Sequence, residues 1–422
     1  MNSKIKWISI SAFLIAAVII SAVIVNSFIS KQNVKDEYRA KVEELLKETV
    51  KVFKEIRGFS LEGIEVEVVT ISWTKENWGK AYAEADKENI LREEKIYKAL
   101  FMIPEDASLY EAEVEWSGMI AAAVWQDKIY VVKEYFNPSD KFNAERTLIH
   151  EITHLMQSNY FSIPDIPTFD GEKAKSALIE GDACLMEEAY TNKTKESSFT
   201  MEIANGKPST MSYEKLWLNK ISATLPESIS RLYYFPYEYG LKFVKALFAK
   251  GGWEAVNQAY NNPPTTTEQI MHPEKYFAKE TSNEAEAPLI SEKEGWQKIK
   301  SERFGEYFVL VMLENWIPKV EAERAAEGWG GDNFTYYEQG NDYLFTWSIA
   351  WDSMEDASEF VNSFQEMMGK TGASEVNGNF WHAYGRNLSL IWRGTSTTIV
   401  CSTNETAIKE FRHKMETYEF FN

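Results

Sequence analysis

Asn143-Ala-Glu-Arg-Thr-Leu-Ile-His-Glu-Ile-Thr-His-Leu-Met-Gln157 decides what the central part of this chain can be. Leu148, Ile149, Ile152, Leu155 and Met156 recur at helical spacing and predict a mostly buried helix from about Asn143 to Ser158. On a helix, positions i and i+4 share a face. His150 and His154 therefore present their imidazoles to one point, where a Zn2+ ion fits. Glu151 stands at the edge of the same point, placed to hold a water and take its proton.

A catalytic zinc site needs a third protein ligand and one open position. The segment Ala177-Leu-Ile-Glu-Gly-Asp-Ala183 supplies the leading candidate, Glu180, 26 residues after His154. That gap accommodates a turn and a second helix, expected over Ala174–Tyr190, packed on the first. Asp182, Glu187 and Glu188 remain alternative ligands. Asp182 also suits a role behind a ligand histidine. Cys184, one turn after Glu180, reads as a small core residue.

Composition bounds the rest. The chain has 422 residues, 44% hydrophobic and 14% aromatic, which excludes a disordered polymer. The formal charge of −19 excludes nucleic acid as a partner. Two cysteines, Cys184 and Cys401, cannot build a disulfide framework. Trp7 to Ile29 is almost wholly apolar, and its 23 residues are long enough to span a bilayer. We expect a signal anchor over residues 1–30, giving a single-pass protein of the cell membrane with an extracytoplasmic globular portion. Four Asn-x-Ser/Thr tripeptides begin at Asn192, Asn333, Asn387 and Asn404.

Further organisation follows from pattern. Residues 36–57 form an amphipathic helix that packs on the body or acts as a stalk. Gly118–Trp125 and Lys128–Lys133 flank Gln126-Asp127 as a β-hairpin. Helices are expected at Glu84–Phe101, Tyr213–Ala223 and Tyr237–Ala249, with Gly251-Gly252 ending the last. Residues 31–276 form one domain and the polar stretch 277–300 a linker. Residues 301–422 form a C-terminal α+β domain of unknown role. Its Trp316, Trp329, Trp347, Trp351 and Trp381 read as core, with a binding face as the alternative.

His-Glu-x-x-His with a downstream Glu resembles the gluzincin metallopeptidases, the thermolysin and aminopeptidase N group. Glu180-Gly-Asp-Ala183 is similar to the Asn-Glu-Gly-Phe-Ala segment of aminopeptidase N relatives, in which that Glu binds zinc. Tyr237-Glu-Tyr-Gly240 resembles their Tyr-Glu-Lys-Gly segment, whose tyrosine binds the oxyanion. The resemblance implies that Tyr237 stabilises the oxyanion, with Tyr239 the fallback. It covers about residues 118–260 and implies a zincin-like domain with a small sheet and a helical lower part. The Gly-x-Met-Glu-Asn exopeptidase motif is missing, and Cys184 stands where thermolysin relatives carry an Asp. An endopeptidase is therefore modestly preferred over an aminopeptidase. Gly251-Gly-Trp253, Pro263-Pro264, His272-Pro273 and Gly328-Trp-Gly-Gly-Asp332 resemble a largely uncharacterised set of membrane-anchored prokaryotic His-Glu-x-x-His proteins. His272 is a further cleft candidate.

The expected architecture is thus α+β: a transmembrane helix, a zincin-like metallopeptidase domain and a C-terminal α+β domain. The expected activity is zinc-dependent hydrolysis of a peptide or protein substrate, with Glu151 as general base. Two alternatives use the same residues. One is a non-catalytic binding or assembly protein with structural zinc. The other is a zinc hydrolase of a non-peptide amide.

Overall fold

In the computed structural model, which describes residues 36–196, 225–285 and 295–417, helix α1 (36–57) turns Val42, Leu45, Leu46 and Phe53 inward. These side chains meet one face of a three-stranded sheet, ordered β1-β3-β2. Its strands are β1 (Glu65–Val69), β2 (Ala122–Trp125) and β3 (Lys128–Val132). Between β1 and β2 lie helical turns at Ile71–Thr74, Lys75–Gly79 and Lys80–Ala85, then α2 (Lys87–Ala99) and α3 (Leu109–Ser117). The hairpin turn forms where the sequence placed it, but the first strand begins at Ala122 rather than at Gly118, which caps α3. Gln126 and Asp127 both take positive φ, 51° and 58°, which matches a two-residue turn to the strand twist. β3 pairs parallel to β1 on its other side, so β2 is an edge.

Helix α4 (Lys141–Tyr160), capped by Asp140 on the Asn143 amide, carries the histidine motif. Leu148, Ile149, Ile152 and Met156 are fully buried against α1 and the inner sheet face. Burial on that side fixes the rotation of α4 and turns His150 and His154 to the other. There α5 (Phe169–Glu196) and α6 (Glu227–Ala259) complete the helical layer. α6 runs through Pro236 and breaks at Gly251-Gly252, where Gly252 has φ 62°. The expected helix Tyr213–Ala223 lies outside the described residues.

Short helices α7 (Thr267–Met271) and α8 (Pro273–Ala278) lead toward the second sheet. Its elements are β4 (Gln297–Glu302), α9 (Glu306–Glu314), α10 (Lys319–Ala326), β5 (Trp329–Gln339), β6 (Asp342–Trp351) and α11 (Met354–Lys370). They continue with β7 (Ser374–Glu375), β8 (Phe380–Ala383), β9 (Arg386–Arg393), β10 (Ser396–Ser402) and α12 (Glu405–Thr417). The seven strands are antiparallel in the order β4-β5-β6-β10-β9-β8-β7. One face packs Trp329, Trp347, Trp351 and Trp381 against α9 and α11, and that cluster continues into α5 and α6. The other face packs on α12 through Ile408 and Phe411. Trp316 is half-buried and donates its indole N–H to the Phe101 carbonyl at 2.8 Å. These tryptophans build core rather than a binding face. Asp170, fully buried at the start of α5, ties the two halves. It accepts the Thr267 amide at 2.6 Å and the Arg303 guanidinium at 2.8 Å.

The expected fold class needs one correction. No helix among the described residues is long and apolar enough to cross a membrane. The first of them, α1, is amphipathic: Glu43, Glu44, Lys47 and Lys51 are exposed on the side opposite Val42 and Leu46. The described fold is therefore α+β with no membrane-spanning element, and residues 1–30 lie outside the described residues. The stretch 277–300, expected as a linker, contains the end of α8 and the start of β4, while 286–294 lie outside the described residues.

Candidate metal centre

His150 and His154 lie one turn apart on α4, their rings 4.7 Å apart and nearly perpendicular. Glu180 faces them from α5. Its Oε2 lies 3.1 Å from His150 Nε2 and 3.5 Å from His154 Nε2. Donor atoms about 2.0–2.1 Å from a tetrahedral ion stand roughly 3.3 Å from one another, so this spacing suits zinc. All three ligand atoms lie within 4.8 Å of one another.

The outward nitrogens decide how the rings are used. His150 Nδ1 meets Glu187 Oε1 at 2.8 Å, and His154 Nδ1 meets Gln157 Oε1 at 2.8 Å. Each Nδ1 donates to that acceptor, so in a neutral ring the Nε2 lone pair faces Glu180. With both rings neutral, three electron-pair donors face one another, a grouping that could hold a cation. Burial opposes charge on both imidazoles. His150 is nonetheless pushed well above its ordinary pKa by Cys184, Glu180 and Glu187, and His154 is pushed up by Glu180. Burial likewise opposes ionisation of Glu180, yet the two histidines hold its carboxyl far below the usual range. Glu180 and the two histidines thus favour their charged forms beside one another.

Glu187 is itself anchored by Arg146 at 3.0 Å and holds His150 through its other oxygen. Burial pushes the Cys184 thiol up to about 12, and Cys184 forms with His150 and Glu187 a second group that could hold an ion. Glu188 pairs with Lys245 at 2.7 Å on the exposed side. Among the alternatives, only Glu180 has an oxygen near both Nε2 atoms.

Glu151 is buried, and its Oε2 has no hydrogen-bond partner among the described residues. Burial raises its pKa, while His150 and His154 pull the other way. A buried carboxylate oxygen without a donor is costly and is suited to receiving a proton. The Tyr237 ring lies 6.3 Å from that of His150 at an interplanar angle of 19°. Burial, then Glu180, hold its phenol well above the ordinary value, so it stays a hydrogen-bond donor.

Two glycines bring Glu180 and Tyr237 to the same place. A Cβ on Gly181 would sit 2.3 Å from the Gly240 carbonyl oxygen, and one on Gly240 would sit 2.2 Å from that of Ala177. α5 and α6 therefore cross backbone to backbone, one residue from Glu180 and one turn from Tyr237. The glycine of each quoted motif has this physical use.

Asp182 sits behind His154 through a relay rather than by contact. Its Oδ2 accepts the Tyr260 hydroxyl at 2.7 Å, and the Tyr260 oxygen accepts Gln157 Nε2 at 2.8 Å. Gln157 in turn holds His154. Arg57, at the end of α1, pairs with Asp182 at 3.1 Å. The remaining two candidates go elsewhere. Tyr239 packs on Phe235 and Tyr307 and takes the Lys242 ammonium over its ring. His272 binds Glu306 at 3.0 Å, because it starts α8 beside α9. Gln157, Arg146, Tyr260 and Arg57 were not singled out from sequence. Only Gln157, one turn after His154, left a trace there.

Residues 294–412 match a family described as a domain of unknown function, DUF8575. The match covers the seven-stranded sheet and most of α12, and leaves out every residue of the metal centre. No curated protein and no solved structure matches the chain.

Proposed function

We propose that the chain is a zinc-dependent metallopeptidase in which His150, His154 and Glu180 hold the ion. The observation that carries this reading is the convergence of both Nε2 atoms on Glu180 Oε2 beside the unpartnered Glu151 Oε2. Zinc held there would supply Lewis acidity, polarising a carbonyl oxygen and acidifying water. Glu151 takes the proton of the attacking water and delivers it to the leaving amine. Tyr237 donates its hydroxyl to the oxygen that gains charge. His150 and His154 keep their orientation through Glu187 and Gln157.

A peptide substrate is supported by β2, whose outer edge has no strand partner among the described residues. β2 packs against α4. An extended peptide can add to such an edge through its backbone. The structural-zinc alternative leaves the buried Glu151 oxygen without a use.

Metal analysis of the purified protein, followed by cleavage of a diverse peptide pool, tests the reading. One zinc per chain and chelator-sensitive cleavage are expected. A metal-loaded protein that cleaves nothing in the pool would overturn it. Tyr237→Phe is expected to lower kcat by about 10²–10³-fold with zinc content unchanged, as removal of one oxyanion donor does. A change confined to KM would assign Tyr237 to binding instead.

A further inference from the structure

A cavity of about 400 Å³ lies where α2, α3 and the starts of α5 and α6 meet β4. It is large enough for a small ligand, since such sites occupy roughly 300–1,000 Å³. Lys173, which lines it, stands two turns before Glu180 on α5. Seven residues rise about 10 Å along a helix, so the cavity is distinct from the metal centre.

Its charges are arranged unusually. Glu93 pairs with Lys300 at 3.1 Å and Glu172 with Lys175 at 2.8 Å. Glu302 touches Lys300 and accepts the Phe169 amide at 2.6 Å. Two opposite charges are left over. Glu113 is bonded to the Tyr233 hydroxyl. The Lys173 ammonium lies 5.4 Å from the Phe169 ring and 5.5 Å from that of Tyr233. Among the described residues, no carboxylate lies within ion-pair distance of Lys173. It feels the field of Glu113 nonetheless, while burial pushes its pKa down to about 8. Both groups line the cavity, and no ion pair among the described residues joins them. A desolvated charge without a partner is costly.

We propose that this cavity binds a small zwitterion, an α-amino acid with both ends free. The ligand carboxylate meets Lys173, and its ammonium meets Glu113. Leu109, Ile229 and Leu232 offer an apolar wall to its side chain. An anion alone would leave Glu113 unmatched, and a cation alone would leave Lys173 unmatched. The inference goes beyond hydrolysis and does not depend on it, because a free amino acid has no bond to cleave.

Calorimetric titration of the full chain with L-leucine, leucinamide and N-acetyl-leucine tests it. Leucine is expected to bind about tenfold or more tightly than either blocked form, since each lacks one charge-assisted contact. Lys173→Met should abolish the preference for leucine over leucinamide, and Glu113→Gln the preference over N-acetyl-leucine. Binding of leucine at the metal centre would not respond to Lys173→Met, so unaltered binding in that variant overturns the proposal. So does equal binding of all three probes, tightest binding of leucinamide, or no binding of leucine at about 10 mM.

Discussion

Glu151→Gln is expected to retain one zinc per chain and to hydrolyse peptides about 10²–10⁴-fold more slowly than the parent. Gln has the shape of Glu but cannot take a proton at neutral pH, and general-base catalysis contributes roughly 10²–10⁴-fold in rate. The three ligand side chains and their supports, Glu187 and Gln157, are untouched by the change. Metal affinity should therefore hold. Stability should hold or rise, because the parent buries a carboxylate oxygen with no donor among the described residues. Relief of such a charge is stabilising where function had required it. Zinc content, kcat and thermal midpoint measured together separate the readings. Undiminished cleavage would remove Glu151 from the mechanism. Loss of zinc and fold together would make it a structural residue.

What could be read from sequence follows the length scale of each interaction. His150, Glu151 and His154 were legible because the helical period alone sets them on one side of α4. Glu180 was legible because it falls on the next helix. The relay behind His154 was not. Asp182 meets Tyr260, 78 residues on, and Arg57, 125 residues back. No local pattern links such positions. Other misreadings have local causes. β4 reads as a linker because an edge strand with one solvated face is as polar as a loop. α6 starts ten residues before the expected Tyr237 and runs through Pro236, a residue that ordinarily ends or kinks a helix. His272 was expected near the cleft from its place after a capped turn. α9, which supplies Glu306, could not be positioned from sequence and draws it away.

Arg57→Met is expected to destabilise the protein by about 3–5 kcal/mol, the cost of leaving one member of a buried ion pair without the other. Both side chains of the Arg57–Asp182 pair are fully buried. The guanidinium also lies 4.3 Å from the Trp253 ring, just past the break in α6. Met fills much of the same volume but leaves the Asp182 carboxylate with only the Tyr260 hydroxyl. The partner change Asp182→Asn removes that charge while keeping an acceptor for Tyr260. Arg57→Met, Asp182→Asn should therefore recover most of the lost stability in urea unfolding, a strongly non-additive result. The same pair bears on the metal. Asp182 positions Tyr260, Tyr260 positions Gln157, and Gln157 fixes the His154 ring. Loss of such outer support typically costs about 10–100-fold in metal affinity. The single variant should show that weakening in zinc titrations, with the double variant closer to the parent. Additive losses of stability would show that Arg57 and Asp182 act independently. Full zinc affinity in the destabilised single variant would show that the relay does not reach His154.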